Sequence, residues 1–277
     1  MAFDVASVKP TNRPELPNFP LDSGNAKTSG GRFSASFSLS IYILFAYKLD
    51  VFQLNAWNAM LPKWATTDSY EIHATAEGNP TKDQMRLMMQ SLLADRFKLK
   101  VHFETREMPV LALTLVKPGH TGPKLIPHDQ GPSCPDSYTE LKPFEPLSDK
   151  GVFPPVCEYA MMSGKPAGIT LVGSRNTTPE YLAAAISYSG LFAGEVDKPV
   201  VDRTGLSGRF DFTIEYAPDP ARGIFFGPGP PKVYAPGDLQ GPSFQEALRK
   251  QLGLKLVPNK GPVETLVVDH VEKPSEN

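Results

Sequence analysis

Apolar and polar residues alternate along several short segments of the chain, and this alternation predicts β-strands. The clearest case is residues 209–216 (RFDFTIEY), in which every second side chain is aromatic or aliphatic. Residues 70–76 (YEIHATA) and residues 3–8 (FDVASV) show the same period of two. A strand with this period buries one face and turns the other towards solvent.

Other segments carry apolar residues at helical spacing, and local signals mark where the helices begin. Thr81 and Gln84 form a capping box, because the threonine oxygen can accept from the third helical amide while Gln84 reaches back. Residues 243–246 (SFQE) are a second capping box. Pro179 follows a threonine and suits the first helical position. Gly253 is a plausible helix stop.

The predicted elements follow one order twice: helix, strand, capped helix, strand, strand. Residues 70–72 (YEI) correspond to 210–212 (FDF), and residues 97–99 (FKL) correspond to 254–256 (LKL). This order predicts the internal duplication of a unit with two helices on one face of a small sheet. The predicted fold class is α+β, with two related helix-on-sheet units.

Each predicted unit ends in two separate strands. They cover residues 97–101 and 110–116 in the first unit, and residues 254–256 and 263–271 in the second. Polar or Pro- and Gly-containing residues separate the members of each pair.

Proline divides the chain. The 277 residues include 29 Pro and 22 Gly, and the proline content is about twice the ordinary value. Since proline is excluded from helix interiors and central strands, its concentration in residues 117–170 and 217–242 predicts irregular segments. The predicted organisation is a first α+β unit at 1–116, a Pro-rich connector at 117–170, and a second α+β unit at 171–277 with a Pro/Gly-rich insert at 217–242.

Charge and hydropathy exclude two classes of partner. The chain has 28 Lys+Arg against 30 Asp+Glu, a formal net charge of −2, and so lacks the basic surface typical of nucleic-acid binding. No apolar run reaches the roughly 18 residues of a membrane span. We therefore expect no nucleic-acid partner and no membrane span.

The two cysteines, Cys134 and Cys157, both lie in the predicted connector and lack the CxxC spacing of zinc sites. In an exported protein such a pair would staple a loop that has little core of its own. In a reducing cytosol they would be two free thiols. We predict a Cys134–Cys157 disulfide and no metal site.

The first residues of the chain bear on whether the protein is exported from the cytosol. Residues 3–8 alternate like a strand almost directly after Met1, without the charged and apolar regions of a signal peptide. This suggests a periplasmic or secreted protein whose export signal has been removed. The alternative is a native cytosolic start.

Several segments resemble the markers of a known family. They are residues 3–10 (FDVASVKP), 86–99 (RLMMQSLLADRFKL), 200–211 (VVDRTGLSGRFD), and the ending at 251–256 (QLGLKL) and 268–274 (VDHVEKP). Together they are similar to the uncharacterised soil-bacterial family of exported proteins that is duplicated in many genomes. The resemblance implies an extracytoplasmic protein, sometimes fused behind a membrane metallopeptidase of the antibiotic-sensor type, and it implies no chemistry or cofactor.

Each half also resembles, more weakly, the short N-terminal modules of secretins and TonB-dependent receptors. The resemblance is best over residues 178–271, with a helix, a Phe-x-Phe strand and a helix ending in Leu-Gly-Leu. It implies a periplasmic interaction domain. The insert at 217–242 departs from the compact module.

Histidines supply the candidate acid–base chemistry. His73 and His102 lie on predicted strands of the first unit, and His270 lies on the last strand of the second. If the units pack as a pseudo-symmetric pair, His73 or His102 would approach Asp269 and His270, with Asp202 nearby. Such a cluster could activate water for ester or lactone hydrolysis, the histidine taking the proton and a carboxylate orienting it. The alternative is that these are outward-facing polar positions of alternating strands.

Two arginines border the turn-like run at 202–208 (DRTGLSG). Arg203 and Arg209 could bind a carboxylate or phosphate of a ligand. The alternative is a plain turn, in which the aspartate accepts a local amide and the glycine supplies a positive φ.

Aromatic residues supply candidate apolar contacts. Trp57 and Trp64 could line a groove or pack in the core. Phe225 and Phe226 lie in the Pro/Gly-rich insert and would either fold back onto the body or form a contact surface.

These observations favour an extracytoplasmic binding or interaction protein for a small amphiphilic ligand or an envelope protein. The alternative is a hydrolase of an ester or lactone, for example an acylated signalling lactone. A pocket in which the named histidines and aspartates meet within hydrogen-bond reach would favour the enzyme, whereas scattered, solvated histidines would favour binding.

Overall fold

The computed structural model describes residues 1–13, 15–25, 28, 30–49, 58, 60–134, 152–165, 168–187, 191–192, 195–219 and 241–274. The fold is α+β, as predicted. Two compact units divide the chain: a first unit of Met1–Glu107 with Pro262–Asn277, and a second unit of Met108–Gly261. The sequence pattern instead predicts boundaries at residues 116 and 171.

The first unit contains a three-stranded antiparallel sheet. Its strands are β1 (Val5–Thr11), β2 (Arg32–Ser38) and β3 (Ser69–Thr75), in the order β1–β3–β2. The register places Ser7 and Ser34 on either side of His73. These three residues therefore form one row across the polar face of the sheet.

Helices cover the apolar face of this sheet: α1 (Leu39–Ala46), the single turn α2 (Trp64–Thr67) and α3 (Lys82–Arg96). Phe33 of β2 contacts Tyr42 and Phe45 of α1, with ring centroids 6.2 and 5.9 Å apart. The capping box of α3 is confirmed: Thr81 Oγ1 accepts from Gln84 N at 3.2 Å, and Gln84 Oε1 accepts from Thr81 N at 2.7 Å.

Two buried cations at the start of α3 hold the loop at residues 22–25. Lys82 pairs with Asp22, and Arg86 donates to the carbonyl oxygens of Asp22 (2.9 Å) and Gly24 (2.6 Å). Burial lowers the pKa of Lys82 to about 8, although the Asp22 carboxylate opposes this shift. The side chains of α3 thereby order a loop that has no secondary structure of its own.

The second unit contains a four-stranded antiparallel sheet in the order β5–β9–β7–β6. Its strands are β5 (Leu125–Pro127), β6 (Met161–Gly164), β7 (Thr170–Thr177) and β9 (Phe210–Tyr216). The predicted alternation along residues 210–216 is confirmed, because Phe210, Phe212, Ile214 and Tyr216 enter the core.

Helices α4 (Pro179–Ser187) and α5 (Phe244–Ala247), with a π-helical turn at Leu248–Leu252, pack into this core. Thr178 Oγ1 accepts from Tyr181 N at the start of α4 (3.2 Å). Ser243 Oγ accepts from Glu246 N (3.3 Å), while the Glu246 carboxylate pairs with Lys250. The π-turn ends at Gly253, whose backbone is left-handed, so the predicted stop is confirmed.

Two long strands replace the four short ones that the pattern predicts at the ends of the units. β4 (Lys100–Leu115) and β10 (Leu254–His270) are each continuous, and with β8 (Val200–Asp202) they form a sheet in the order β10–β4–β8. The prediction was wrong because residues 102–109 of β4 and 257–260 of β10 are mostly exposed and show no alternating burial, whereas backbone pairing needs none. As an edge strand, β10 also tolerates Pro258 and Pro262.

The order strand, helix, strand, capped helix, strand occurs in both units: β2, α1, β3, α3, β4 and then β7, α4, β9, α5, β10. Helix α2 and strand β8 are additional elements within this order. The internal duplication itself stays a prediction. Within the described ranges, every helix is too short or too polar to cross a bilayer.

Replacing Gly253 by alanine should destabilise the protein more than replacing Gly205. Both have a φ near +70°, so each alanine costs about 1–2 kcal/mol of backbone strain. A Cβ on Gly253 would also lie 2.5 Å from Gly122 N, whereas a Cβ on Gly205 would meet nothing within 4 Å. We expect a further loss of about 1–3 kcal/mol for Gly253→Ala alone. Urea denaturation followed by circular dichroism measures both, and equal losses would contradict the packing argument.

Candidate functional site

The structure brings one predicted histidine and one predicted aspartate together. His102 on β4 and Asp269 on β10 both belong to the first unit, and His102 Nδ1 lies 2.9 and 3.0 Å from the two carboxylate oxygens of Asp269. His102 Nε2 lies 3.2 Å from Glu104 Oε1, and Arg106 Nη2 donates to Glu104 Oε2 at 2.7 Å. His102 is therefore flanked by carboxylates at both ring nitrogens.

Solvent and charge determine what this pair can do. The side chain of His102 is 47% exposed. Hydrogen bonds to Asp269 and then to Glu104 raise the pKa of His102, because each carboxylate stabilises the imidazolium. Because a carboxylate occupies each ring nitrogen, neither nitrogen faces a substrate proton that it could take. The geometry suits a charged, solvated contact better than proton abstraction.

The other predicted members of this cluster have partners of their own. His270 follows Asp269 directly on β10, and neighbouring residues of a strand point to opposite faces. Its Nε2 lies 2.7 Å from Glu272 Oε1. Asp202, in the second unit, has its Oδ1 accepting from Thr204 N at 3.0 Å. The contacts of His270 and Asp202 are thus with residues other than His102 and Asp269.

His73 has its own partners on the polar face of the β1–β3–β2 sheet. Its Nδ1 lies 3.1 Å from Ser34 Oγ and its Nε2 lies 2.8 Å from Glu71 Oε1. The Ser34 hydroxyl donates to Glu15 Oε1. Since a hydroxyl has one proton, His73 must donate to Ser34 in this arrangement rather than accept from it.

Sequence reasoning missed Ser34, Glu71 and Glu15. The spacing of Glu71 and His73, two apart on a predicted strand, places both on one face and was a usable signal. Ser34 becomes a neighbour of His73 only through the register of β2 on β3, which the sequence pattern leaves open.

A third histidine group, in the second unit, was also missed. His128 follows β5, and its Nδ1 lies 2.6 Å from Asp211 Oδ1 on β9. His128 Nε2 faces Cys134 Sγ at 3.5 Å, and Cys134 forms the predicted disulfide with Cys157. His128 and Asp211 are 83 residues apart in the sequence, so no local spacing could have indicated their contact.

Segments joined by the disulfide cover the second face of the four-stranded sheet. Arg175 of β7 is buried and donates to the carbonyl oxygens of Pro132 (2.6 Å), Ser133 (2.7 Å) and Pro154 (3.2 Å). Its guanidinium thereby holds both disulfide-linked segments against the strand. Asp211, on the same side as Arg175, is enclosed although it is an outward-facing position of β9.

Two groups of described residues place potential metal-ligating atoms within 4.8 Å of one another. They are Glu15, Glu71 and His73, and His128 with Cys134 and Cys157. The first group is partly exposed, and such acidic groups are common without a metal. In the second group both sulfurs are engaged in the disulfide, which removes them as thiolate ligands.

The predicted ligand-binding arginines have local roles. Arg209 Nη1 donates to Glu158 Oε1 (2.7 Å) and to the carbonyl oxygen of Asn176 (2.6 Å). Arg203 is exposed and contacts the carbonyl oxygen of Asp202 at 3.3 Å. The run from residue 202 forms a plain turn, with Gly205 at φ +69°.

Of the predicted aromatic contacts, Trp64 begins α2 and packs edge-on against Tyr70, while Lys273 Nζ lies 5.8 Å from its ring centre. Trp57, Phe225 and Phe226 lie outside the described residues.

A cavity in the second unit is lined mainly by apolar side chains, among them Leu182, Leu206, Phe210 and Leu254. Its volume of about 10 Å³ is room for about one water molecule. It is too small to enclose an amphiphilic ligand.

A protein-family model described as "Protein of unknown function (DUF3738)" matches residues 40–271. The match includes His73, the His102–Asp269 pair, and the disulfide with His128 and Asp211. Curated proteins and solved structures give no match to the chain.

Replacing Asp269 by asparagine should lower the pKa of His102, because the amide removes the charge and the strongest acceptor of the imidazolium. Glu104→Gln should lower it less. A proton NMR titration of the histidine ring signals measures both changes. Asp95→Asn removes an exposed carboxylate that pairs with Arg96 and serves as the control. An unchanged pKa in the Asp269 variant would contradict the assigned contact.

Proposed function

The chain belongs to the DUF3738 family of proteins of unknown function, and we propose that it is an extracytoplasmic interaction protein that binds a protein of the cell envelope. This proposal rests on the solvent exposure and the hydrogen bonds of His102. Its imidazole is nearly half exposed and hydrogen-bonded to carboxylates that favour the cation. Such a side chain suits a solvated contact surface.

The disulfide supports an extracytoplasmic location for the protein. Disulfides persist in oxidising compartments and are rare in the cytosol, and Cys134–Cys157 joins two otherwise irregular segments. A periplasmic or secreted protein is the simplest setting for this bond.

Exposed side chains of β4 support a macromolecular partner. Phe103 is 46% exposed although it is aromatic, and it follows His102 on β4, on the opposite face of the strand and among charged residues. Aromatic side chains with polar surroundings are typical anchors of protein interfaces.

A photo-crosslinking phenylalanine analogue at position 103 should capture a discrete envelope protein in the native host. Placed instead at position 87, on α3, the same analogue should not, because Leu87 matches Phe103 in exposure (49% against 46%) but is not a residue of β4. Mass spectrometry identifies the captured protein. The purified partner should then bind the chain, and Phe103→Ser should weaken this binding about tenfold or more. Equal capture from both positions, or no capture from position 103, would contradict the proposal.

A hydrolase of an ester or lactone is the second candidate, and the contacts of His73 favour it. Ser34, His73 and Glu71 form a continuous hydrogen-bonded series on the polar face of the sheet. A serine, a histidine and a carboxylate in sequence are the groups that nucleophilic hydrolysis uses. Turnover would require His73 Nδ1 to lose the proton that it donates to Ser34, and the Ser34 hydroxyl to turn from Glu15 to that nitrogen.

The two candidates differ in a direct assay of nitrophenyl esters and acylated lactones. Under the interaction proposal, the wild-type chain has no turnover above buffer. Under the hydrolase alternative, it has turnover that Ser34→Ala and His73→Ala abolish. Ser7→Ala is the matched control, since Ser7 flanks His73 in the same row on the other neighbouring strand. Turnover lost in the first two variants and kept in the third would overturn the interaction proposal.

A further inference from the structure

The Cys134–Cys157 disulfide lies at the end of a line of hydrogen-bonding groups. Asp211 Oδ1 lies 2.6 Å from His128 Nδ1, and His128 Nε2 lies 3.5 Å from Cys134 Sγ. Carboxylate, imidazole and sulfur thus follow one another in contact. This is the order of groups that activates cysteine sulfur elsewhere in protein chemistry.

The carboxylate in this line is buried and tightly enclosed. Asp211 is 7% exposed, and its Oδ1 also accepts from Asn176 N at 2.8 Å. Among the described residues, its buried Oδ2 has no hydrogen-bond partner. A Cβ on Gly131 would lie 2.3 Å from this oxygen, so the loop closes directly over it.

An incompletely paired buried carboxylate costs stability, and a disulfide that only joins two segments does not need one. The structural role is already served by Arg175, which binds carbonyl oxygens on both segments. The contact of the buried Asp211 carboxylate with His128 therefore indicates a chemical role rather than a structural one.

Hydrogen-bonding rules fix the orientation of the imidazole. An ionised carboxylate only accepts, so at 2.6 Å the Nδ1 of His128 carries a proton and donates it to Asp211. The other ring nitrogen, Nε2, then faces Cys134 Sγ. When protonated there, it can stabilise a thiolate that forms on this sulfur.

We propose that Cys134–Cys157 is a reactive disulfide that exchanges with a dithiol partner, that His128 stabilises the departing Cys134 thiolate, and that Asp211 is the positioning residue for His128. Both cysteines are partly exposed, so a partner thiolate can reach them. The inference does not depend on the proposed envelope interaction.

The exchange balances in two steps. A partner thiolate attacks Cys157 Sγ and forms a mixed disulfide, while the electron pair of the broken S–S bond goes to Cys134 Sγ beside the protonated imidazole. The second thiolate of the partner then attacks its own sulfur in the mixed disulfide. This attack forms the partner's disulfide and releases Cys157 as a thiolate, so that two electrons pass from the dithiol to the chain.

The rate of reduction of the folded chain by dithiothreitol tests the role of His128. His128→Asn should slow reduction about tenfold near neutral pH, because the leaving thiolate loses its cation. Asp211→Asn should slow it less and shift the pH profile of the rate, which a merely structural role would not do. His120→Asn is the matched control, since His120 is an exposed histidine of the same unit. Circular dichroism checks that each variant is folded.

Alkylation of the reduced wild-type chain gives a second measurement that needs no folded variant. At about pH 6, iodoacetamide should modify Cys134 faster than Cys157, since His128 favours the thiolate of Cys134. Peptide mass spectrometry measures the two rates. Equal alkylation of both cysteines, an unchanged reduction rate in the His128 variant, or a disulfide that dithiothreitol reduces only after denaturation would each overturn the proposal.

Discussion

In each unit, a small antiparallel sheet buries one face of alternating apolar side chains against helices, and the rest of the structure depends on this burial. Because the strand period is two, every buried position is followed by one that cannot enter the same core. The polar face must therefore be solvated or covered. The β1–β3–β2 sheet presents His73 and Glu71 to solvent, whereas Arg175 and the disulfide hold a cover over the β5–β9–β7–β6 sheet.

This difference decides what the histidines can do. His73 and His102 contact carboxylates at exposed positions, where such contacts are weak and screened. His128 contacts a carboxylate that is almost fully buried, where each hydrogen bond is stronger and each unpaired atom more costly. The same residue type thus forms a solvated contact in one setting and a fixed link between Asp211 and sulfur in the other.

Local sequence patterns predicted the parts of the fold that local forces determine. The alternation along residues 210–216, the Thr81 cap, the Gly253 stop and the disulfide are all present. The sequence did not predict that β4 and β10 are continuous, because backbone hydrogen bonds hold their exposed residues in the strand without any pattern of buried side chains. In the candidate site, the sequence predicted the contact between His102 and Asp269 as one of several possible contacts between histidines and aspartates. The Ser34–His73 contact depends on strand register, and the His128–Asp211 contact joins residues 83 apart in sequence; neither leaves a periodic signal.

The Pro-rich segments can serve as a cover because Arg175 supplies donors that they lack. Proline has no N–H, so a segment rich in it cannot extend a sheet by backbone pairing. Its carbonyl oxygens nevertheless need partners once they are buried. The Arg175 guanidinium provides them for Pro132, Ser133 and Pro154, and the disulfide joins the two segments covalently. With the cover fixed at these points, Gly131 can pass directly over Asp211 and His128 can face both the carboxylate and the sulfur. The composition that prevents regular structure in these segments is thus what leaves them free to bring a histidine to the disulfide.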